Sequence, residues 1–255
     1  MNVSLPYALA VWRRNAAMYR RTWMLNLLPN FFEPVFYLLS IGLGVGSYVH
    51  QMGGMSYAAF LAPGLVCVAA MNGASFEVTY NIYVRLTFEK QYDAMLTTPI
   101  EPDDVLVGEL LWAMTRASIY GGCFFLVLVI AGLAPMPWSL LAIPVIPLAG
   151  LMFAAIGLVF SLHIPTMELY SFYFTLFLTP LFLFADVFFP LAERLSPTWL
   201  WVAELLPLLH PVRLARAAFR GSGSAILWWD LTYILGLSTF LLRLALGGIR
   251  KRLTS

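Results

Sequence analysis

Three ionisable side chains in this sequence lie deep inside apolar runs, where chemistry or structure must justify them: Glu33, Glu77 and Arg116. A charge near the middle of a bilayer costs roughly 2.5 to 3.5 kcal/mol, so such groups are expected to face one another rather than lipid. Counted along their helices, all three fall on the order of 12–16 Å from the same membrane border. The expectation is an intramembrane ion pair, with Arg116 held by Glu77, Glu33 or both as glue between helices. A proton or ion relay needs a chain of such groups across the membrane, and only Asp186 lies toward the other side.

Other chemistries lack their parts. His50, His163 and His210 stand apart near helix ends or loops, and no His-x-x-x-His or Gly-x-Ser-x-Gly occurs. Glu101, Asp103 and Asp104 precede an apolar run, where Asp103 or Asp104 is expected to cap a helix rather than bind metal. Cys67 and Cys123 sit in apolar stretches and are expected to be reduced and structural. A phosphate-cradling loop ends in Gly-Lys-Ser/Thr, but the two lysines are Lys90 after Glu89 and Lys251 after Arg250. The chain is expected to have no catalytic, metal or cofactor residues.

These residues must be positioned by membrane-spanning helices. The chain is 61% apolar and 11% charged, against about 25% charged for a soluble domain. A span needs about 20 apolar residues. Runs at about 25–48, 57–83, 105–131, 139–162, 168–189 and 226–249 predict an all-α membrane protein of six spans. Pro29 and Pro34 are expected to kink the first. No cleavable signal peptide, internal repeat or nucleic-acid-binding stripe stands out. Nine basic residues (Arg13, Arg14, Arg20, Arg21, Arg85, Lys90, Arg250, Lys251, Arg252) then share one side, read as cytoplasmic, with both termini. Arg194, Arg213, Arg216 and Arg220 would lie outside, on a 190–225 segment expected to be embedded as a hairpin.

Two segments outside the spans are amphipathic. In residues 1–24, Leu5, Leu9, Trp12, Ala16, Tyr19 and Trp23 fall within a sector about 80° wide, with Arg13, Arg14, Arg20 and Arg21 opposite or flanking. A helix on the membrane surface, arginines toward lipid headgroups, is expected. Between spans two and three, "RLTFEKQYDAMLTTPIEPDD" (85–104) concentrates seven of the 28 charged residues. A short helix from Phe88 to Leu96 would place Phe88, Tyr92, Met95 and Leu96 on one face and Glu89, Lys90 and Asp93 on the other. The apolar face argues for a partner.

The stretches "NFFEPVFYLLSIGLGVG" (30–46), "YAAFLAPGLV" (57–66), "YDAMLTTPI" (92–100), "VGELLWAMTRAS" (107–118) and "LLPLLHPVRLAR" (205–216) resemble, in order, the permease subunits of type-2 ABC exporters. The similarity is to the nodulation-factor and lipo-oligosaccharide branch. It implies a homodimer of this permease in the bacterial inner membrane, with two separately encoded ABC ATPase subunits that carry ATP and Mg. It further implies that 86–97 is the coupling helix docking on the ATPase, that 1–24 is the interface helix, and that 190–221 forms re-entrant half-helices capping the pathway. Substrates of such exporters are amphipathic or lipid-linked, moving between spans one and five. Phe177, Phe184, Phe188 and Phe189 are the candidate path residues. The alternative is a stand-alone channel or secondary transporter.

Overall fold

The computed structural model describes residues 3–44, 46, 48–49 and 51–254, leaving aside the side chains of 25–27, 29–31, 33–34, 42–43 and 250–254. Helix α1, Leu5–Gly44, unites the expected surface helix and first span in one run. Its backbone departs from helical angles at Thr22 (φ −123°, ψ 17°), rather than at the prolines. Thr22 is β-branched and stands where the arginine-bearing portion gives way to apolar sequence, a natural place for the joint. A hairpin of Gln51–Met52 and Met55–Ser56 turns through Gly53 and Gly54, whose φ angles of 58° and 79° suit a two-residue turn that only glycine adopts freely. The Ser56 hydroxyl accepts from the Ala59 amide and opens the next helix.

That helix, α2 (Tyr57–Phe88), is α-helical to Phe76 and contains π turns at Glu77–Asn81 and Val84–Phe88. The short α3 (Gln91–Leu96) leads to α4 (Pro102–Ile130). Helix α5 (Trp138–His163) starts as a 3-10 turn, and α6 (Met167–Phe184) contains a π turn at Tyr173–Leu178. Three short helices follow, α7 (Leu191–Arg194), α8 (Pro197–Ala203) and α9 (Leu209–Arg220), before α10 (Ile226–Thr254).

Among the described residues, α2, α4, α5, α6 and α10 are long and apolar enough to cross a membrane. The sixth expected run, 25–48, overlaps the second half of α1, where many side chains lie outside the described residues. Helix α2 is the centre: 83% of its most apolar window is buried, against 22% for α6 and for α10. It packs on α4 and α5, α1 lies along α4, and α10 covers α5. Small residues allow the close contacts, as in membrane bundles generally. A β-carbon on Gly108 of α4 would fall 2.6 Å from Val11 Cβ and 2.7 Å from the Ala8 carbonyl, and one on Gly73 of α2 would fall 2.3 Å from the Tyr120 ring.

Candidate functional site

The π turns of α2 build the charged end of the bundle next to α3. Glu77 and Arg85 are eight residues apart, which in a regular α-helix leaves about 80° between their side chains. The residue inserted by the turn at Glu77–Asn81 removes most of that offset. Arg85 then spans two carboxylates, Nη2 to Glu77 Oε1 and Nη1 to Glu109 Oε2, each at 2.6 Å. Arg116 Nη1 lies 3.6 Å from Glu77 Oε2, and its guanidinium sits 4.7 Å and 4.9 Å from the Tyr19 and Tyr120 ring centroids. Asn81 donates to Glu77 at 2.7 Å. The structure thus brings Arg116 and Glu77 together, while the side chain of Glu33 lies outside the described residues. Glu109 and Arg85 join the cluster beyond the expected set; Glu109, only five residues into the third apolar run, carries no depth signal in the sequence.

The 85–104 segment differs in detail from its expected form. Phe88 ends α2, and Lys90, at φ 47°, breaks the chain before α3, so Phe88 to Leu96 is not one helix. A left-handed residue reverses the chain direction enough to turn α3 inward. Tyr92 and Met95 are accordingly buried, whereas Phe88 is 68% exposed. Glu89, Lys90, Asp93 and Ala94 are exposed and Leu96 is half-buried. The outward apolar knob is therefore Phe88 with part of Leu96. Helix α4 is capped by Glu101, whose amide donates to Asp104 Oδ2 at 3.1 Å in a capping box, so the N-cap is Glu101 rather than the expected Asp103 or Asp104, and Asp104 closes the box from the third helical position. Asp104 Oδ1 also accepts from the Ser4 amide at 2.7 Å.

On α1 the buried stripe is Ala8, Val11 and Asn15, rotated from the expected one toward α4, because Gly108 lets the two backbones close. Trp12 and Tyr19 lie at its edge. The Trp12 indole donates to Thr115 Oγ1 at 3.0 Å, and Tyr19 meets Trp112 edge-on at 5.5 Å. Leu5 and Leu9 stay exposed, as do Arg13, Arg20 and Arg21, with Arg14 half-buried.

At the opposite end α9 packs on the start of α5, and Arg220 reaches the Gly53 carbonyl at 3.5 Å. Its other two arginines are matched by acids. Arg213 binds Glu204 through Nη1 and Nη2 at 2.6 and 2.9 Å, and Asp230 through Nε at 2.8 Å. Arg216 pairs with Asp186, a residue at φ 61° whose Oδ1 also accepts from the Leu191 amide at 2.8 Å. His210, expected to stand alone, is buried with Nδ1 2.7 Å from Asp230 and its ring stacked 3.7 Å from Tyr233. His50 lies outside the described residues, and His163 contacts only the Val159 carbonyl among the hydrogen bonds seen. Glu204, His210 and Asp230 bring ligand atoms within 4.8 Å of one another, a spacing a metal could use. The Arg213 guanidinium, bonded to both carboxylates, takes the place of a cation there. Hydrogen bonds from Arg213 hold the Glu204 carboxyl below its ordinary range against the opposing effect of burial.

A cavity of about 220 Å³ lies between α1, α2 and α6, lined by Tyr37, Phe76, Phe174 and Phe182 with Asn72 and Thr179. Phe182 meets Phe188 edge-on at 4.7 Å and Tyr37 edge-on at 5.4 Å. Of the candidate path residues, Phe177 packs against Tyr173 at 5.5 Å, Phe188 and Phe189 are half-buried, and Phe184 is 56% exposed. Cys67 and Cys123 are free.

An apolar helical bundle with one charged connection and an aromatic-lined cleft along its side has the build of a membrane transport permease. The chain belongs to the ABC-2 type transporter family, whose profile matches residues 7–219. It is 36% identical over 213 residues to nodulation protein J of Rhizobium leguminosarum bv. viciae, covering 84% of this chain and 82% of that one. Nodulation protein J of Sinorhizobium fredii is 34% identical over 249 residues, 97% and 94% of the two chains. The inner membrane transport permease YadH of Escherichia coli is 25% identical over 218 residues, 83% and 82%. The chain is a permease of the ABC exporter class, embedded in a membrane by several helices.

Proposed function

We propose that this chain is the six-span subunit of an ATP-driven exporter in a bacterial inner membrane, working as a homodimer on two ABC ATPase subunits, with both termini cytoplasmic. The observation that carries the reading is the 85–97 segment. In an apolar molecule it presents Phe88, Glu89, Lys90, Asp93 and Ala94 outward, while Tyr92 and Met95 anchor its underside. A surface so built receives force: closure of the ATPase pair pushes on α3, and α3 is fastened to α2 and α4. Rigid-body movement of the spans follows, the usual form of such switching. ATP and Mg belong to the partner.

The segment α7–α9 forms the re-entrant outer cap, supported by its contacts with the 1–2 and 3–4 connections. The cleft between α1, α2 and α6 suits an acyl chain or other apolar body, with Asn72 and Thr179 for a polar head. The resemblance to the nodulation-factor and lipo-oligosaccharide branch, supported by the similarity to two proteins named nodulation protein J, favours a lipo-oligosaccharide or another amphipathic, lipid-linked cargo.

The reading is tested by co-purification with a cassette ATPase. Phe88→Ala combined with Asp93→Ala changes only exposed side chains, so the permease should fold with an unchanged Tm while ATPase recovery falls roughly tenfold, the consequence of losing one central apolar anchor. Undiminished recovery and export in that variant would remove the docking assignment.

A further inference from the structure

The surface portion of α1 does not close fully against the bundle. A cavity of about 200 Å³ remains between α1, α2, α3 and α4, lined by Arg14, Tyr19, Arg85, Gln91, Trp112 and Arg116 among others. At about 30 Å³ per water it exceeds the room of a single bound water severalfold.

Its lining is rich in donors whose acceptors are missing. Trp112 is 2% exposed and its indole Nε1 has no partner; Arg116 is 5% exposed and its Nε has none. Buried donors without acceptors point to water or a ligand. Arg85 Nη1 is directed to Glu109, and Arg85 Nη2 and Arg116 Nη1 to Glu77. At the rim, Arg14 meets the Asn15 amide oxygen at 3.4 Å and, among the described residues, forms no ion pair. Glu89 also lines the cavity, its carboxylate hydrogen-bonded to the Gln91 amide, whose Oε1 is a buried acceptor without a partner and suits a bridging water beside the anion. The complementary ligand accepts hydrogen bonds and carries negative charge. An oxyanion such as phosphate meets both requirements, since guanidinium and N–H groups bind it with charge-assisted bonds.

The cavity lies beneath an amphipathic, arginine-bearing helix at the inner end of the spans. With that end cytoplasmic, as proposed above, it stands at the level of inner-leaflet headgroups. We propose that the cavity seats the phosphate of an anionic inner-leaflet phospholipid, with Arg14 at the mouth and Trp112 Nε1 and Arg116 Nε at the floor. Glu89 and Gln91 form one wall, so an occupied site braces the segment on which the ATPase is proposed to act. Lipid composition thereby tunes that segment.

Binding is measured on the purified full-length permease without any ATPase, so its result is separate from that of the docking experiment. Phosphatidylglycerol, phosphatidylcholine and inorganic phosphate are titrated into the protein in neutral detergent, reading apparent Tm and lipid retained in native mass spectra. Phosphatidylglycerol should raise Tm and stay bound. Arg14→Gln and Trp112→Phe should each weaken it about tenfold, as expected for one lost charge-assisted bond, and Arg13→Gln should leave it unchanged. If Trp112→Phe does not purify, Arg14→Gln against Arg13→Gln decides. Equal retention by wild type and Arg14→Gln, or equal loss with Arg13→Gln, would mean diffuse headgroup attraction or water alone and overturns the site. Inorganic phosphate reproducing the whole effect, with no gain from the lipid, overturns the lipid as ligand.

Discussion

Arg85 holds two buried carboxylates at once, with Glu77 and Glu109 exposed by 0% and 1% in their side chains. Desolvating three charges is expensive, and the attraction among them compensates only while the set is complete. Arg85→Gln would leave Glu77 to Arg116 at 3.6 Å and strand Glu109. Removing one partner of a buried pair costs about 3–5 kcal/mol, so the variant should show a sharply lower Tm or poor recovery in detergent. Adding Glu109→Gln should restore much of that loss, because the stranded charge is gone. A double variant no more stable than Arg85→Gln would mean that Glu109 is not the group Arg85 neutralises. Sequence pointed to Glu77 and Arg116 through their depth in apolar runs. It missed Glu109, which near the start of its run looks like an ordinary helix-dipole partner.

At the level of elements, the arrangement depends on how closely α1 approaches α4. Gly108→Val would drive its side chain into Val11 and the Ala8 carbonyl. Overpacking of this kind costs about 1–3 kcal/mol. It should also lever the surface portion away from Trp112 and Thr115, detected as faster proteolysis or hydrogen exchange over residues 5–21 than elsewhere. Protection unchanged there would mean that α1 is held by its span alone. The spans themselves were legible because a bilayer dictates their length: runs expected at 57–83, 105–131 and 226–249 became helices at 57–88, 102–130 and 226–254. The breaks were not. Nothing in side-chain periodicity marks the left-handed Lys90, and a face containing Phe88, Tyr92 and Met95 reads the same whether it points outward or into the bundle. The π turns that align Glu77 with Arg85 carry no composition signal either, since their residues pass for continuous helix.

Across the whole molecule, the two ends treat charge differently. The end that bears α3 keeps Arg13, Arg20 and Arg21 exposed on the first part of α1. The opposite end carries the arginines of α9, and Arg213 and Arg216 arrive already paired with Glu204, Asp230 and Asp186. Neutralisation explains how they are tolerated beside apolar helices, and makes the α7–α9 segment sensitive to acid. The Glu204 carboxyl, held below the ordinary carboxylate value of 4.5 by Arg213, contributes stability that is fully present above that value. It is lost as pH falls from 4.5 through the lower folded-state value. At pH 7 Glu204→Gln should cost about 1–2 kcal/mol, discounted for its partial exposure. The Tm gap between wild type and variant should hold down to about pH 4.5 and close below it. A gap that is constant through that acid range would show that Glu204 supports the α7–α9 segment by shape and not by charge, and that Arg213 and Arg216 are balanced by Asp230 and Asp186 without it.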